Sequence, residues 1–124
     1  MPVAWRGWRI EDIGVKIIKI QKALKELKEI SEEIRYKSCI ESESFSTGLI
    51  SFSPRKSSGP KLINHRDKDV VCQVLKGRGR LRINGRKIPL EPGTICHIPK
   101  GTPHDFAAGK KGQLVLFYAL IKTG

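Results

Sequence analysis

An Asn-Gly pair lies between two short runs of strand character in the middle of the sequence. Residues 80–83 (Arg-Leu-Arg-Ile) alternate strictly between charged and apolar side chains. Asn84-Gly85 follows, and residues 86–90 form the second run. An Asn-Gly pair is typical of a two-residue β-hairpin, because both turn positions need a positive φ angle. The sequence therefore predicts an antiparallel hairpin over residues 80–90.

Further short runs with strand character surround this hairpin. Gly- and Pro-bearing turns separate them, and the runs span residues 45–53, 70–75, 94–98 and 113–121. Many short strands at close spacing are typical of a β-sandwich or β-barrel. Strands do not alternate with helices, which argues against a parallel α/β sheet. The sequence thus predicts a mainly β domain.

The N-terminal third has a different, helical period. Apolar residues recur at steps of three and four, with Ser31 interrupting the row before its last member, and Lys and Glu occupy the other face. The row is Ile13, Ile17, Ile20, Leu24, Leu27 and Ile34. This pattern predicts one long amphipathic α-helix from about Glu11 to Lys37. Its apolar stripe suits packing against the chain's own β-barrel, or a helix–helix seam in a homodimer. We expect residues 1–37 to form this N-terminal segment and residues 38–124 to form the β domain.

Length and composition restrict the class of protein. A chain of 124 residues with 39% hydrophobic residues fits one globular domain. It holds no apolar run of 18 residues, so we expect no membrane span. The first nine residues lack the apolar segment of a signal peptide, and we therefore expect a cytoplasmic protein. The three cysteines, Cys39, Cys72 and Cys96, are far apart and are interpreted as small buried apolar residues.

The charge is strongly basic. Lys and Arg number 24 against 12 acidic residues, a formal net charge of +12. This favours a polyanion such as nucleic acid as a partner, although a thermostable protein also has many lysines and glutamates. Arg78, Arg80 and Arg82 recur with period two on one strand face. They suit a phosphate-binding patch or a solvated strand face, and the absence of interleaved aromatic residues favours the solvated face.

Residues 93–108 resemble the second motif of the cupin superfamily, G-x5-P-x-G-x2-H-x3-N. Gly93, Pro99, Gly101 and His104 occupy the required positions, and Ala108 replaces the final Asn. The resemblance implies a cupin jelly-roll β-barrel behind the predicted N-terminal helix. It implies little about activity, because this fold carries many unrelated functions.

The first cupin motif, G-x5-H-x-H-x3,4-E-x6-G, is degraded in this chain. His65 follows Gly59 after five residues, and residues 74–77 (Val-Leu-Lys-Gly) resemble the usual end of the motif. Val70 stands at the position of the usual glutamate. The position of the second histidine falls at Arg66 or Asp67.

In metal-binding cupins, motif histidines and a carboxylate converge inside the barrel. Carried over by resemblance, the metal ligands here are His65 and His104. Asp67 lies two residues after His65, which places both on the same side of an expected strand and makes Asp67 the candidate for a substitute carboxylate. Such a set suits one divalent ion of Fe, Mn, Ni, Zn or Cu. The alternative is a metal-free site in which the histidines are hydrogen-bonded within a pocket. In either case we expect His65, Val70, Cys72 and His104 to line a ligand pocket.

Two hypotheses about function follow from the sequence. The first is a single-domain cupin that binds a small molecule in its barrel, with or without a divalent metal, and whose catalytic activity is open. The second is a non-catalytic, metal-free cupin that acts as a sensor or interaction module and forms dimers through its helix. No helix-turn-helix pattern precedes the β domain, which disfavours sequence-specific DNA binding.

Overall fold

The fold consists mostly of antiparallel strands. The computed structural model describes residues 14–55 and 65–123, of which 54% are strand and 7% are helix. A short helix α1 (Ile20–Ala23) continues into a 3₁₀ turn (Leu24–Glu26). The strands are β1 (Lys28–Glu29), β2 (Ile34–Glu41), β3 (Phe45–Phe52), β4 (Lys68–Lys76), β5 (Gly79–Ile83), β6 (Arg86–Leu90), β7 (Ile95–Ile98), β8 (His104–Ala108) and β9 (Leu114–Lys122).

The strands form two sheets that pack face to face. The larger sheet has the order β1-β2-β3-β9-β4-β7, and the smaller has the order β6-β5-β8. Neighbouring strands are antiparallel in both sheets. Inward side chains alternate with outward ones along each strand, which brings the apolar faces of both sheets onto one core.

That core explains why the β domain holds together. Leu114 and Leu116 from β9 are almost fully buried, as is Val74 from β4. Leu81 of the smaller sheet belongs to the same core. Burying a leucine or valine side chain contributes about 1.5–3 kcal/mol relative to leaving it exposed.

The predicted hairpin is confirmed. β5 pairs with β6 from Gly79 opposite Leu90 to Ile83 opposite Arg86. Asn84 and Gly85 take φ angles of 51° and 74°, as the two-residue turn requires. The mainly β class of the predicted fold is confirmed as well.

The long N-terminal helix is a wrong prediction. Within its described part, only Ile20–Ala23 is α-helical, with one 3₁₀ turn after it, and Ile34 already begins β2. Pairing decides this outcome, because β2 is antiparallel to β3 from Ile34 opposite Phe52 to Glu41 opposite Ser46. Ile17 is 59% exposed, so the expected stripe does not pack on the core. Residues 14–37 therefore contain no long helix on which the predicted helix–helix seam of a homodimer could form. Residues 11–13 of the predicted helix lie outside the described residues.

The closed barrel also needs correction. The two sheets are separate in the described part of the chain, with β1 and β7 at the edges of one and β6 and β8 at the edges of the other. The architecture is therefore a β-sandwich. Alternation indicates which side chains face the core, but it carries no information on whether the edge strands of two sheets pair.

A buried ion pair connects the end of β3 to β8. Asp105, only 2% exposed, lies on the side of β8 opposite His104 and Phe106. Arg55 donates from both terminal nitrogens to its carboxylate, with Nη1 3.1 Å from Oδ2, and from Nη2 to the carbonyl oxygen of Phe106 at 2.9 Å. The carboxylate of Glu33 is 3.9 Å from Arg55 Nε. These contacts hold β8, and with it His104, in place.

Among the described residues, no helix has the length and apolar character needed to cross a bilayer.

Candidate functional site

An apolar cavity of about 230 Å³ lies between the two sheets. Most of its wall belongs to the larger sheet, and β8 supplies part of the wall on the smaller sheet. The lining residues are Ile30, Tyr36, Ile50, Phe52, His65, Cys72, His104, Phe106, Leu116, Tyr118 and Leu120. The lining contains no Lys, Arg, Asp or Glu from the described residues. The cavity therefore suits an uncharged guest.

Strand alternation places these side chains. Leu116, Tyr118 and Leu120 are every second residue of β9, and His104 and Phe106 are two apart on β8. Residues two apart on a strand face the same side. Both sets therefore point into the space between the sheets.

Gly48 makes room for one of the cavity tyrosines. It lies opposite Tyr118 in the β3–β9 pair. A Cβ atom at residue 48 would lie 2.5 Å from the Tyr118 hydroxyl oxygen and 2.7 Å from the carbonyl oxygen of Lys37. Only a glycine accepts the ring at this position without displacing its surroundings. Burial, followed by the neighbouring Tyr36, raises the pKa of Tyr118, so its phenol stays neutral.

His104 is the most constrained polar group of the cavity. The residue is 4% exposed, and its Nδ1 is 2.9 Å from the carbonyl oxygen of Thr102. A carbonyl oxygen only accepts, so Nδ1 carries the hydrogen. In the neutral ring, Nε2 is then a hydrogen-bond acceptor. The Phe106 ring packs edge-on against the imidazole, with 5.7 Å between centroids.

His65 lies beside His104, with ring centroids 6.0 Å apart. Burial lowers the pKa of His65 below its ordinary value of 6.5, and the imidazole of His104 and the ammonium of Lys68 lower it further. The carboxylate of Asp67 acts in the opposite direction with the smallest effect. His65 is therefore a neutral imidazole at neutral pH.

The structure brings three of the four predicted pocket residues to the cavity wall. His65, Cys72 and His104 line it. Val70 shares the inner face of β4 with Cys72, but it packs within the core, 5% exposed, and is not a lining residue.

The predicted metal set is not brought together. Asp67 lines a separate cavity beside residues 42–46, whereas His65 and His104 line the apolar one. The reason is local, since β4 begins only at Lys68 and strand alternation does not apply to residues 65–67. Across residues 14–55 and 65–123, no three His, Cys, Asp or Glu residues are grouped to hold a metal ion. Two imidazoles do not fit the three or four protein ligands of the usual sites.

Two other acidic or thiol groups near this region have different partners. The carboxylate of Asp69 is 2.8 Å from His97 Nε2 and accepts from the backbone N–H of Lys100 at 2.9 Å.

Cys72 lies directly opposite Cys96 in the β4–β7 pair. Burial, followed by Cys96, raises the pKa of the Cys72 thiol to about 12, so this thiol is protonated at neutral pH and is a poor nucleophile.

Tyr36 and Gly48 were not predicted from the sequence. Tyr36 falls in the segment that was predicted to be helical, so its face could not be assigned. Tyr118 follows Leu114 and Leu116 in the alternation of the last strand, which predicts an inward side chain, and it lines the cavity. Gly48 becomes meaningful only through its partner across the β3–β9 pair.

Comparison with known proteins agrees with this architecture. The profile of the family described as "Cupin domain" matches residues 48–120. No curated protein matches the chain. The solved structure of TT1209 from Thermus thermophilus is similar with a TM-score of 0.70 and 22% identity, over 87% of this chain and 98% of that one.

Two further solved structures share the fold. KdgF from Halomonas sp. has a TM-score of 0.66 and 18% identity, over 78% of this chain and 86% of that one. A protein from Thermotoga maritima described as a predicted oxalate decarboxylase has a TM-score of 0.68 and 18% identity, over 78% and 92% of the two chains. At these identities the likeness concerns the fold alone. Because the family profile covers more than half of the sequence, the chain belongs to the cupin family.

Proposed function

We propose that this cupin is a binding protein that holds one small, largely apolar molecule between its sheets. The observation that carries the proposal is the cavity of about 230 Å³, with apolar walls from both sheets and the imidazole rings of His65 and His104. An engineered cavity of about 150 Å³ in another protein takes up benzene. The present cavity therefore has room for one substituted ring.

Titration calorimetry with toluene tests this proposal. Ile50 lines the cavity, so Ile50→Trp adds a ring that occupies the space of the guest. Ile95 is 70% exposed on β7, and Ile95→Trp is the matched control. We expect saturable binding to the wild type and to Ile95→Trp, and loss of binding in Ile50→Trp. Equal binding by both variants would place the guest elsewhere and refute the proposal.

A resident metal is not part of this proposal. The described residues supply two imidazoles and no carboxylate at one point, which is too few ligands for the usual sites of the metals that histidine and carboxylate bind. Elemental analysis of protein purified without chelator tests this. One equivalent of a transition metal that is lost in a double variant of His65 and His104 would overturn it.

A second candidate function is the binding of a polyanion, because one specific observation favours it. Residues 76–112 contain nine Lys and Arg but only two acidic residues, Glu91 and Asp105. Glu91 pairs with Arg78 at 3.1 Å and Asp105 with Arg55, so both carboxylates are already engaged.

The basic groups gather at both ends of β5. Arg78, Lys110 and Lys111 line a cleft of about 460 Å³ where β5 begins. Arg82, Arg86 and Lys87 line a second cleft, of about 450 Å³, at the hairpin where β5 ends. Cations placed in this way suit the phosphates of a nucleic acid backbone.

The salt dependence of binding to a short mixed-sequence DNA duplex tests the polyanion candidate. The double variant Arg86→Glu, Lys87→Glu removes two cations of the hairpin cleft. The variant Lys16→Glu, Lys19→Glu changes the net charge equally outside both clefts. If the hairpin cleft contacts phosphates, the first variant lowers the slope of log affinity against log salt by about 0.9 for each phosphate that is no longer neutralised, and the second changes the slope less. Equal slopes in the two variants, or binding without a salt slope, would remove this candidate.

A further inference from the structure

We propose that the guest of the cavity is a hydroxyl-bearing ring compound, such as a phenol or a cyclic alcohol, whose hydroxyl donates a hydrogen bond to Nε2 of His104. This inference rests on the proposed function, because it names the class of molecule that the same cavity takes.

The role of Nε2 follows from the other ring nitrogen. Nδ1 is 2.9 Å from the carbonyl oxygen of Thr102, an atom that only accepts, and so Nδ1 is the donor. The neutral ring carries one hydrogen, which leaves Nε2 with a lone pair. Within residues 14–55 and 65–123, the only hydrogen bond of this ring is the one from Nδ1. A guest that donates a hydrogen bond completes the imidazole, whereas a guest that offers only an acceptor does not.

The other polar groups of the wall impose no such choice. The phenols of Tyr36 and Tyr118 can either donate or accept a hydrogen bond. His65 is neutral, and no hydrogen bond in the described chain assigns its tautomer. His104 is thus the lining group whose hydrogen-bonding role is determined by its surroundings.

The lack of a cationic side chain in the described wall disfavours anionic guests. The lining contains no Lys or Arg from the described residues. A carboxylate or phosphate taken into this space would be buried without a partner of opposite charge, which is strongly unfavourable. Molecules such as sugar phosphates and organic acids are therefore poor guests, although they are common ligands of other proteins.

The size of the cavity limits the guest to about one ring. Its volume of about 230 Å³ exceeds the roughly 150 Å³ that accommodates benzene elsewhere. A ring with a methyl and a hydroxyl substituent, as in p-cresol, is a probe of suitable size. Toluene has the same ring and methyl group without the hydroxyl, and p-toluate replaces the hydroxyl by a carboxylate.

Titration calorimetry with these three probes tests the inference. We expect p-cresol to bind the wild type about tenfold more tightly than toluene, the usual effect of one net hydrogen bond, and p-toluate to bind more weakly than either. His104→Phe keeps a ring at this position but removes the acceptor. In this variant p-cresol and toluene should bind equally. His97→Phe, at an exposed histidine that contacts Asp69, is the matched control and should keep the tenfold difference.

The outcomes separate this inference from the proposed function. Equal binding of p-cresol and toluene to the wild type overturns the inference and leaves the binding function in place. Tighter binding of p-toluate than of p-cresol overturns it as well, since it would mean that the ring is protonated and donates. Failure of all three probes to bind overturns the proposed function and the inference together.

A measurement on the free protein does not depend on any variant. Nitrogen-15 spectra of the His104 ring report which nitrogen carries the hydrogen. We expect the hydrogen on Nδ1, and a shift of the Nε2 resonance when p-cresol binds but none of comparable size with toluene. A hydrogen on Nε2 in the neutral ring would overturn the inference.

Discussion

Replacement of Asp105 by asparagine should destabilise this cupin far more than the loss of a surface charge. Asp105 is 2% exposed, and the Arg55 side chain that it contacts is 14% exposed. Asn keeps the shape of the side chain but removes its charge. One oxygen can still accept from Arg55, whereas the new amide N–H₂ group would face a guanidinium N–H, donor against donor.

The expected loss follows from what is left behind in the Asp105→Asn variant. Removing one partner of a buried ion pair costs about 3–5 kcal/mol, because the other charge stays buried without compensation. Arg55 keeps its hydrogen bond to the carbonyl oxygen of Phe106 and its approach to Glu33 at 3.9 Å. These remaining contacts place the expected cost near the lower end, at about 3 kcal/mol.

Glu91→Gln is the matched control for this prediction. Glu91 pairs with Arg78 at 3.1 Å, but the two side chains are 65% and 76% exposed. An exposed pair of this kind contributes about 0–1 kcal/mol. Urea unfolding followed by circular dichroism gives the free energy of unfolding of each variant. A cost for Asp105→Asn no larger than that of Glu91→Gln would refute the structural role that we assign to the buried pair.

Three further results are expected. Cys72 should react more slowly with a thiol reagent than Cys96 when each is the single cysteine left, and its rate should still rise above pH 9, because burial raises the pKa of the Cys72 thiol; equal rates would contradict the burial. The folded-state pKa of His65 lies below its unfolded value, so the folded protein binds fewer protons and the free energy of unfolding should fall as the pH drops below about 6.5. His65→Gln should flatten this fall, and an unchanged pH dependence would assign it to another group. Gly48→Ala should lower the free energy of unfolding by about 1–3 kcal/mol, because its Cβ would lie 2.5 Å from the Tyr118 hydroxyl; an unchanged urea midpoint would contradict that crowding.

The parts of the fold that were predictable are those that short stretches of chain determine. The Asn84-Gly85 hairpin needs only its own turn and the alternation on either side, and it forms as predicted. The strands later in the chain also end at the expected Gly and Pro turns. The cupin resemblance rested on turn residues of this kind, from Gly93 to His104.

The N-terminal third could not be predicted in this way. Ile34 fits a helical stripe, yet Ile34 to Glu41 pairs with β3. Neither the strand partner nor the energy of that pairing is visible in the local period. β-branched residues such as isoleucine also favour strands where a pairing partner exists. The long-range partner therefore outweighs the helical period.

The residues of the candidate site also differ in whether a local pattern or a long-range contact positions them. His104 was predictable, because a motif of fixed spacing carries it into the cavity wall. Asp67 was not, because its expected position relied on strand alternation at residues that precede β4. Long-range contacts cannot be predicted from local sequence patterns. Arg55 and Asp105 are 50 residues apart, and Cys72 lies opposite Cys96 only because of the register of the β4–β7 pair.

The residue at position 70 links the altered motif to the chemistry that we propose. The cupin motif usually has a glutamate there, and this chain has Val70, which is 5% exposed within the core. A valine at this position brings no charge to the inner face of β4, where it is followed by Cys72 and Val74. The cavity wall is then apolar except for its imidazole and phenol groups. In such surroundings a single oriented acceptor, Nε2 of His104, can distinguish a hydroxyl compound from its hydrocarbon analogue, because no charged group competes for the guest.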